Sequence, residues 1–482
     1  MNTCMRPCQR PWLTNPYSPN STRPFMKSIM RLTSIFLMVA SLLATLPLSA
    51  QLNDGKPDPT FSVPERLDLE YALAFALDNN FSIRQAKERI RQQEGVLVEV
   101  RSSQIPNVGA SAGYQRNADE VSQNGRDHAW SFEVVARQLL YAGGGVTANI
   151  KAQKLQLEAA TLAFQSVIND ALFDVRIRFY TVIVNREKII VQEKNVELLE
   201  RQLKDVKNRF EAGTVSNFEV LRAEVALANA QPALITARND FRLAIEELRR
   251  SLGFVTSSAS NVTKVPEFLG TLGFPPASFE LQSALTTART QRPDLLRLNK
   301  LEAAAEEGVF ARRASYYPSV SAFGSYDWRL SPLGSSKSSL DGWTVGLQSQ
   351  WNIFDGRATA GRVAQARSLL EQAKLSQSEA QLSVDVDVRR AISLFQQSTE
   401  LAEASKKVIE QAEESVRLAN ARFGAGTATQ LDVLQAQTDL TTARLNQLQA
   451  YYSYNVSVAS VRRAMGLPDE MKPTKELKYP SE

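Results

Sequence analysis

The sequence predicts a mainly helical fold with a small β part, organised as a tandem structural repeat. Short motifs recur at a spacing of about 213 residues. Long stretches with heptad-spaced apolar residues contain almost no proline. Four segments alternate apolar and polar residues with period two. Together these observations describe two copies of one plan, each with long coiled-coil helices and two strands.

Residues 1–50 differ from the rest of the chain. They hold five of the 56 Lys+Arg residues and none of the 51 acids, so the remainder is neutral and lacks the basic surface that nucleic-acid binding requires. A basic segment followed by a short apolar stretch predicts a secretory signal peptide, with Met26 the expected start and cleavage after Ala50. Both cysteines, Cys4 and Cys8, precede that point, so no thiol chemistry is expected in the mature chain.

Paired motifs define the repeat. NRFEAGT at 208–214 returns as ARFGAGT at 421–427, FEVL at 218–221 as LDVL at 431–434, and LYAGG at 140–144 as IFDGR at 353–357. The same order at a nearly constant spacing indicates a duplication. The expected segments are an N-terminal extension at 51–64, a first repeat at 65–254, a linker at 255–278, a second repeat at 279–468 and a C-terminal tail at 469–482.

Each repeat is predicted to begin with a helical stretch of about 38 residues that ends before a proline, at 67–104 or 279–316. Two strands follow. A proline-free stretch then predicts a helix roughly 100 Å long at about 1.5 Å per residue. A turn at Gly213 or Gly426 reverses the chain into a helix of about 37 residues. We therefore expect two short helices stacked end to end beside each long one.

The four strands place aliphatic and aromatic side chains on one face, among them Tyr114, Trp130, Tyr326 and Trp343. Such strands occur in membrane barrels and in half-buried soluble sheets, so the pattern alone leaves both open. Four strands cannot close a membrane barrel, which needs about eight, and lipid does not tolerate an open sheet edge. A secreted chain of this kind predicts an outer-membrane conduit completed by several copies, with no membrane-spanning helix after Ala50.

The duplicated plan, the LYAGG and IFDGR turns and the RF-x-AGT hairpins resemble the TolC family of outer-membrane efflux proteins over about 65–468. The resemblance implies a homotrimer, in which four strands per chain build a twelve-stranded transmembrane β-barrel in outer-membrane lipid above a periplasmic helical tunnel. It implies substrate delivery by an inner-membrane transporter through a periplasmic adaptor protein. It implies neither catalysis nor a cofactor.

The resemblance also assigns two sets of site residues. The adaptor-docking tips are Gly213, Thr214, Val215, Gly426, Thr427 and Ala428. The alternative is a plain turn, since a helix reversal needs glycine in any case.

The residues assigned to the tunnel entrance are Asp432, Gln435, Phe423 and Glu219. Copies of Asp432 around an axis would form a cation-attracting ring. Gln435 stands where the family has a second acid, and Phe423 stands at the gate aromatic but lacks a hydroxyl. The alternative for Asp432 and for Glu219, its first-repeat equivalent, is a helix-start acid favoured by the dipole.

Enzymatic and metal-dependent functions find little support. His128 is the only histidine, and the mature chain is expected to lack cysteine, so a transition-metal site would need carboxylates alone. Two non-enzymatic alternatives stay open. One is a structural coiled-coil trimer of the periplasm or cell surface, and the other is a free-standing porin.

Overall fold

The computed structural model describes residues 66–116, 118, 128–254, 266–330 and 339–468. The predicted signal region, the N-terminal extension, the C-terminal tail and the side chain of His128 lie outside the described residues. So do the first part of the linker and most of the two loops that join paired strands.

Helices dominate this part of the chain, and the predicted fold class is confirmed. The elements are β1 Arg66–Leu67, α1 Leu69–Asn79, α2 Phe81–Arg101, β2 Asn107–Arg116, β3 His128–Ala142, α3 Gly145–Glu211, α4 Asn217–Leu252, β4 Glu267–Phe268, α5 Leu281–Gln291, α6 Pro293–Arg313, β5 Ser319–Leu330, β6 Ser339–Gln350, α7 Ala358–Gly424 and α8 Gln430–Ala464. The two long helices, α3 and α7, have 67 residues each, which is a length of about 100 Å.

The first helical stretch of each repeat is two helices rather than the one predicted. Asn80 has extended backbone and caps α2, because its side-chain oxygen accepts hydrogen bonds from the amides of Ser82 at 2.8 Å and Ile83 at 3.3 Å. Arg292 has the same extended conformation and precedes Pro293, which disfavours helical backbone at the residue before it. The local chemistry differs, but the break is the same in both repeats.

The end of another helix packs against each of these breaks. Gly253, just after α4, lies so close to Asn79 that a Cβ atom there would be 2.4 Å from its carbonyl oxygen. A Cβ atom on Gly466, just after α8, would be 2.8 Å from the Cα atom of Arg292. Glycine is needed at both positions because the φ angles are 80° and 75° and because the approach leaves no space. The three shorter helices of each repeat thus meet beside the middle of the long one.

The four long strands form one antiparallel sheet in the order β2-β3-β5-β6. Its register sets Tyr114 opposite Trp130 and Tyr326 opposite Trp343, so the predicted apolar residues share one face. The other face carries charged residues, with Glu133 opposite Asp327. Strands β2 and β6 are the two edges, and neither has a second partner within the described residues.

One apolar core lies in each repeat. The first surrounds Val175, Val182 and Leu248, and the second surrounds Val388 and Tyr454. Residues 266–278, the described part of the linker, cover these two cores on their solvent side. Arg186 donates hydrogen bonds to the carbonyl oxygens of Phe268 at 2.5 Å and Gly270 at 2.8 Å. No helix among the described residues combines the length and apolar character needed to cross a membrane.

Candidate functional site

The two hairpin tips have the same backbone geometry. In the first, the amide of Gly213 donates to the carbonyl of Phe210 at 2.9 Å, and the amide and hydroxyl of Thr214 both donate to the carbonyl of Arg209 at 2.9 Å. In the second, Gly426 and Thr427 make the equivalent bonds to Phe423 and Arg422. The recurring Gly-Thr pair therefore satisfies the last carbonyl groups of the long helix.

The glycine at each tip is required by its backbone conformation. Gly213 and Gly426 have φ angles of 71° and 72°, and no other group lies within 4 Å of a Cβ built on either. Both glycines and both threonines are exposed, whereas Val215 and Ala428 are half-buried. The plain-turn alternative explains why glycine is present, and the glycine and threonine of each tip are exposed.

The start of the return helix differs between the repeats. Thr429 and Asp432 form a capping box at α8, in which the carboxylate of Asp432 accepts from the amide of Thr429 at 2.7 Å and from its hydroxyl at 2.8 Å. Ser216 makes no such side-chain bond at α4. Glu219 instead pairs with Arg222, one turn along the same helix, at 3.3 Å. The two acids predicted to be equivalent thus have different partners.

The capping box keeps Asp432 ionised. The bonds from the amide and hydroxyl of Thr429, with the nearby charge of Arg422, hold the pKa of the Asp432 carboxyl below its usual range. The side chain remains exposed. Asp432 is therefore both a helix-start acid, as the dipole argument expects, and an exposed negative charge that persists below the ordinary aspartate pKa.

Phe423 lies against the other hairpin. The guanidinium of Arg209, at the end of α3, stacks over the Phe423 ring at 4.8 Å from its centroid. Asp205 accepts a hydrogen bond from Arg209 Nε at 2.9 Å and fixes its orientation. The structure thus brings together Phe423 and a residue that the sequence analysis did not select.

Gln435 and Asp432 line one open groove between α7 and α8, with a volume of about 700 Å³. The amide of Gln435 donates to the carboxylate of Asp439 at 2.9 Å. Asp439 lies in the same groove and supplies an acid two turns beyond Asp432. Heptad spacing from Asp432 would have found it. Ala428 also lines the groove, whereas Glu219 belongs to the other hairpin.

The charges near the two tips are distributed differently. In the first hairpin, acids and arginines of one helix pair with each other, as Asp205 does with Arg209 and Glu219 with Arg222. The groove of the second hairpin is lined by four acids and one arginine, namely Glu410, Glu414, Asp432, Asp439 and Arg422, and of these acids Glu414 pairs with Arg417 of its own helix at 2.6 Å. The second hairpin therefore presents the stronger negative field at this end of the molecule.

Polar contacts join the two repeats along α3 and α8. The hydroxyls of Thr181 and Tyr452 are 3.2 Å apart, Thr441 donates to Asn195 at 3.2 Å, and Arg463 donates to Asp170 at 2.8 Å. Helix α6 also packs along α3. The first repeat thus presents one side of its long helix to the second repeat of the same chain. Among the described residues, no group of three or more His, Cys, Asp or Glu side chains is placed to hold a metal ion.

The comparisons with known proteins agree with this architecture. Protein CyaE of Bordetella pertussis is 26% identical over 403 residues, which cover 81% of this chain and 84% of CyaE. Outer membrane protein TolC of Escherichia coli is 23% identical over 393 residues, which cover 77% of this chain and 76% of TolC. The crystal structure of the Campylobacter jejuni CmeC outer membrane channel matches with a TM-score of 0.72 at 16% identity, covering 83% of this chain and 85% of CmeC.

A sequence model of the family described as "Outer membrane efflux protein" matches residues 73–254 and 284–467, so it covers most of both repeats. The resemblance inferred from the hairpin and turn motifs is confirmed by this match. The chain belongs to the outer membrane efflux protein family, and it is an outer-membrane efflux channel with its helical part in the periplasm.

Proposed function

We propose that three copies of this chain form the exit duct of a tripartite system, which takes substrate from an inner-membrane transporter through a periplasmic adaptor. The observation that carries the proposal is the sheet with an apolar face and two unpaired edges, β2 and β6. Unpaired backbone groups cannot face lipid. Pairing β6 of one copy with β2 of the next removes every edge and gives twelve strands from three chains.

The helices support the same assembly. Within one chain α3 packs against α6 and α8 of the other repeat. The repeat relation requires α7 to pack in the same way against α2 and α4, and the described residues of one chain provide no comparable contact. Large apolar side chains of α7 are instead exposed, among them Leu375, Leu382 and Leu401 at 68%, 68% and 51%. A second copy would bury them and continue the ring.

The site assignments follow from this arrangement. Three copies would place six exposed tips, each with its Gly-Thr turn, at the periplasmic end, where the adaptor would dock. Asp432, held in its ionised form by Thr429, would form the predicted ring of negative charge at the tunnel entrance. Gln435 would hold Asp439 in place beside it. Phe423 would fix the position of the second hairpin through its contact with Arg209.

Trimer formation tests the assembly. Outer-membrane fractions are run on gels with and without heating, and the expected result is a heat-sensitive trimer. A monomer that dissolves without detergent would contradict the barrel. Leu382→Glu would place a charge on the proposed helical interface and should destabilise the trimer. Leu418→Glu is the control, because Leu418 faces the groove within one chain.

Dependence on a second protein separates the duct from the two alternatives. Dye efflux is measured in a strain that lacks the chain and its adaptor, after restoring each alone or both together. A duct of a tripartite system restores efflux only when both are present. Passage that depends on the chain alone would identify a free-standing porin. A third outcome is that trimers form in the outer membrane but no combination of chain and adaptor restores dye efflux. That outcome would identify a structural coiled coil.

A further inference from the structure

The apolar face of the sheet carries an aromatic side chain near each end of strand β3. Trp130 pairs with Leu330 of β5, and Tyr141 pairs with Val320. These partners are ten residues apart, and both are an even number of residues from Tyr326, so Trp130 and Tyr141 share its apolar face. Ten residues extend for about 33 Å along a strand, or about 25 Å along the axis of a barrel with strands tilted by ~40°.

This height fixes where the lipid ends. Outer-membrane barrels have an apolar band about 25 Å tall, with aromatic residues at both of its boundaries. Tyr141 is the aromatic residue next to helix α3, and the helices lie in the periplasm. Tyr141 therefore marks the periplasmic boundary of the hydrocarbon layer.

Large apolar side chains are exposed at this end of all four long strands. Ile105 precedes β2, Tyr317 precedes β5, and Ile353 and Phe354 follow β6. Ile353 and Phe354 are 82% and 84% exposed. Tyr141 is the first-repeat equivalent of Phe354, and it stays exposed although β5 pairs beside it. Pairing of β6 with a further strand would therefore leave Phe354 uncovered, and lipid is the occupant that fits.

Arginines gather on the helix side of the same boundary. Four arginines and two acids lie within eight residues of these strand ends, namely Arg101, Arg312, Arg313, Arg357, Glu99 and Asp355. Eight helical residues extend for about 12 Å, so these side chains are within reach of the headgroup layer, which is ~5–8 Å thick. All four arginines are exposed, and none makes an ion pair within the part of the chain that the structure describes.

The helix dipole accounts for the arginines in the last turns of α2 and α6, but not for Arg357. Arg357 is the N-cap of α7, where the dipole disfavours a cation. Its φ angle is 71°, which is costly for a residue with a Cβ atom, and the first-repeat equivalent is Gly144. Asp355 is engaged elsewhere, since its carboxylate accepts from the amide of Thr359 at 2.7 Å and lies near Arg362. An anion outside the chain would explain an arginine at this position.

We infer that Arg357, together with the neighbouring arginines, binds the phosphate of an anionic phospholipid in the periplasmic leaflet of the outer membrane. Guanidinium groups bind phosphate through paired, charge-assisted hydrogen bonds, and cations at this level attract anionic lipids. Ile353 and Phe354 contact the acyl chains, and Arg357 holds the headgroup. The bound lipid fixes the depth of the channel in the membrane. The site needs neither an adaptor nor a transporter, so it can fail or stand independently of the tripartite duct.

The test uses the full chain, purified in detergent, and an equal mixture of phosphatidylglycerol and phosphatidylcholine with the same acyl chains. Native mass spectrometry counts the lipids that stay bound, and we expect phosphatidylglycerol to be retained preferentially. Arg357→Gln should lower the ratio of bound phosphatidylglycerol to phosphatidylcholine by about fivefold, the effect of one arginine beside an anionic lipid. Arg357→Lys keeps the charge and should keep most of the preference. Glycerol phosphate, the headgroup without acyl chains, should not displace the lipid.

Two further variants separate lipid binding from a structural role. Arg367→Gln is the matched control, because Arg367 is exposed on the same helix but lies ten residues, or about 15 Å, further from the membrane. Arg357→Gly restores the first-repeat residue and should lower the lipid ratio as Arg357→Gln does. Its Tm in detergent without lipid should be unchanged or higher, because glycine adopts this φ angle without strain. A lower Tm with an unchanged lipid ratio would make Arg357 a structural residue.

Three other results would overturn the inference. The first is equal retention of the two lipids by the unmodified chain. The second is an equal fall of the ratio in Arg357→Gln and Arg367→Gln, which would show that the position of the charge does not matter. The third is displacement of phosphatidylglycerol by glycerol phosphate, which would indicate a site for free phosphate rather than for lipid.

Discussion

The guanidinium of Arg209 lies over the ring of Phe423, 4.8 Å from its centroid, and so joins the ends of the two long helices. The two residues belong to different repeats, and each lies in the last turn of its own long helix. A cation–π contact at such a site contributes about 0.5–1 kcal/mol. Asp205 adds an ion pair that orients the guanidinium. This contact ties the hairpins of one chain together at their periplasmic ends.

Removing the contact between Arg209 and Phe423 should make the channel open more often. Arg209→Gln and Phe423→Leu are each expected to raise the open fraction of the purified channel by about two- to fivefold, the equivalent of 0.5–1 kcal/mol. Single-channel recording in planar bilayers measures the open fraction. The double variant should add little to either single one, because both remove the same interaction. Arg201→Gln, in an exposed pair with Glu197 on the same helix, should leave the open fraction unchanged. Additive effects of the two substitutions would contradict a direct contact.

The charge of Asp432 should depend on Thr429. Its pKa is depressed in the folded chain by the hydrogen bonds from Thr429. The negative charge and the stability of the capping box therefore persist below the ordinary aspartate pKa, and both are lost as pH falls through the depressed value. Thr429→Val removes the hydroxyl donor, so the pKa should rise and the charge should be lost at a higher pH.

The measurement is block of the channel by a multivalent cation as a function of pH. Thr429→Val should move the loss of block to higher pH, and Asp432→Asn should weaken the block at every pH at which the Asp432 carboxyl is ionised. Thr438→Val is the control, because its hydroxyl bonds only the carbonyl of Leu434 in its own helix. Unchanged block in Asp432→Asn would remove Asp432 from the entrance.

Efflux should tolerate a small change of side chain at the exposed tips but not a large one. Thr427→Ser keeps the hydroxyl that donates to the carbonyl of Arg422 at 3.2 Å, so efflux should be retained. Thr427→Trp adds bulk on the exposed side of the turn and should abolish efflux, while the trimer band on gels stays intact. The pair is compared with Thr214→Ser and Thr214→Trp at the first tip. Loss of the trimer in Thr427→Trp would make the tip a folding element rather than a docking surface.

Local features of this fold were predictable from the sequence. The two long helices follow from proline-free stretches with heptad spacing, and the helix reversals follow from Gly213 and Gly426. The apolar face of the sheet follows from period-two alternation. The capping box of Thr429 and Asp432 is also a local pattern, and it leaves the carboxylate of Asp432 exposed.

Contacts between the repeats were not predictable in the same way. Arg209 meets Phe423 only because two hairpins pack side by side, and no periodicity within either helix indicates that neighbour. The contact between the hydroxyls of Thr181 and Tyr452 likewise depends on α3 and α8 lying together. The break at Asn80 depends both on local sequence and on a contact with another helix. Its capping chemistry is local, but its position is fixed by the end of α4 at Gly253, which packs against Asn79.

Asn80 should therefore be a sensitive point of the fold. Its side chain is buried, caps α2 and donates to the carbonyl of Ser251 at 2.6 Å. Asn80→Ala removes a cap worth about 1 kcal/mol and leaves a buried carbonyl without its donor, at a further cost of about 1–3 kcal/mol. Asn79→Ala is the control, since that side chain bonds only the carbonyl of Phe75 in its own helix. Thermal unfolding in detergent should show a clearly lower Tm for Asn80→Ala and a small change for Asn79→Ala. Equal shifts would show that the junction between α1, α2 and α4 does not depend on the Asn80 side chain.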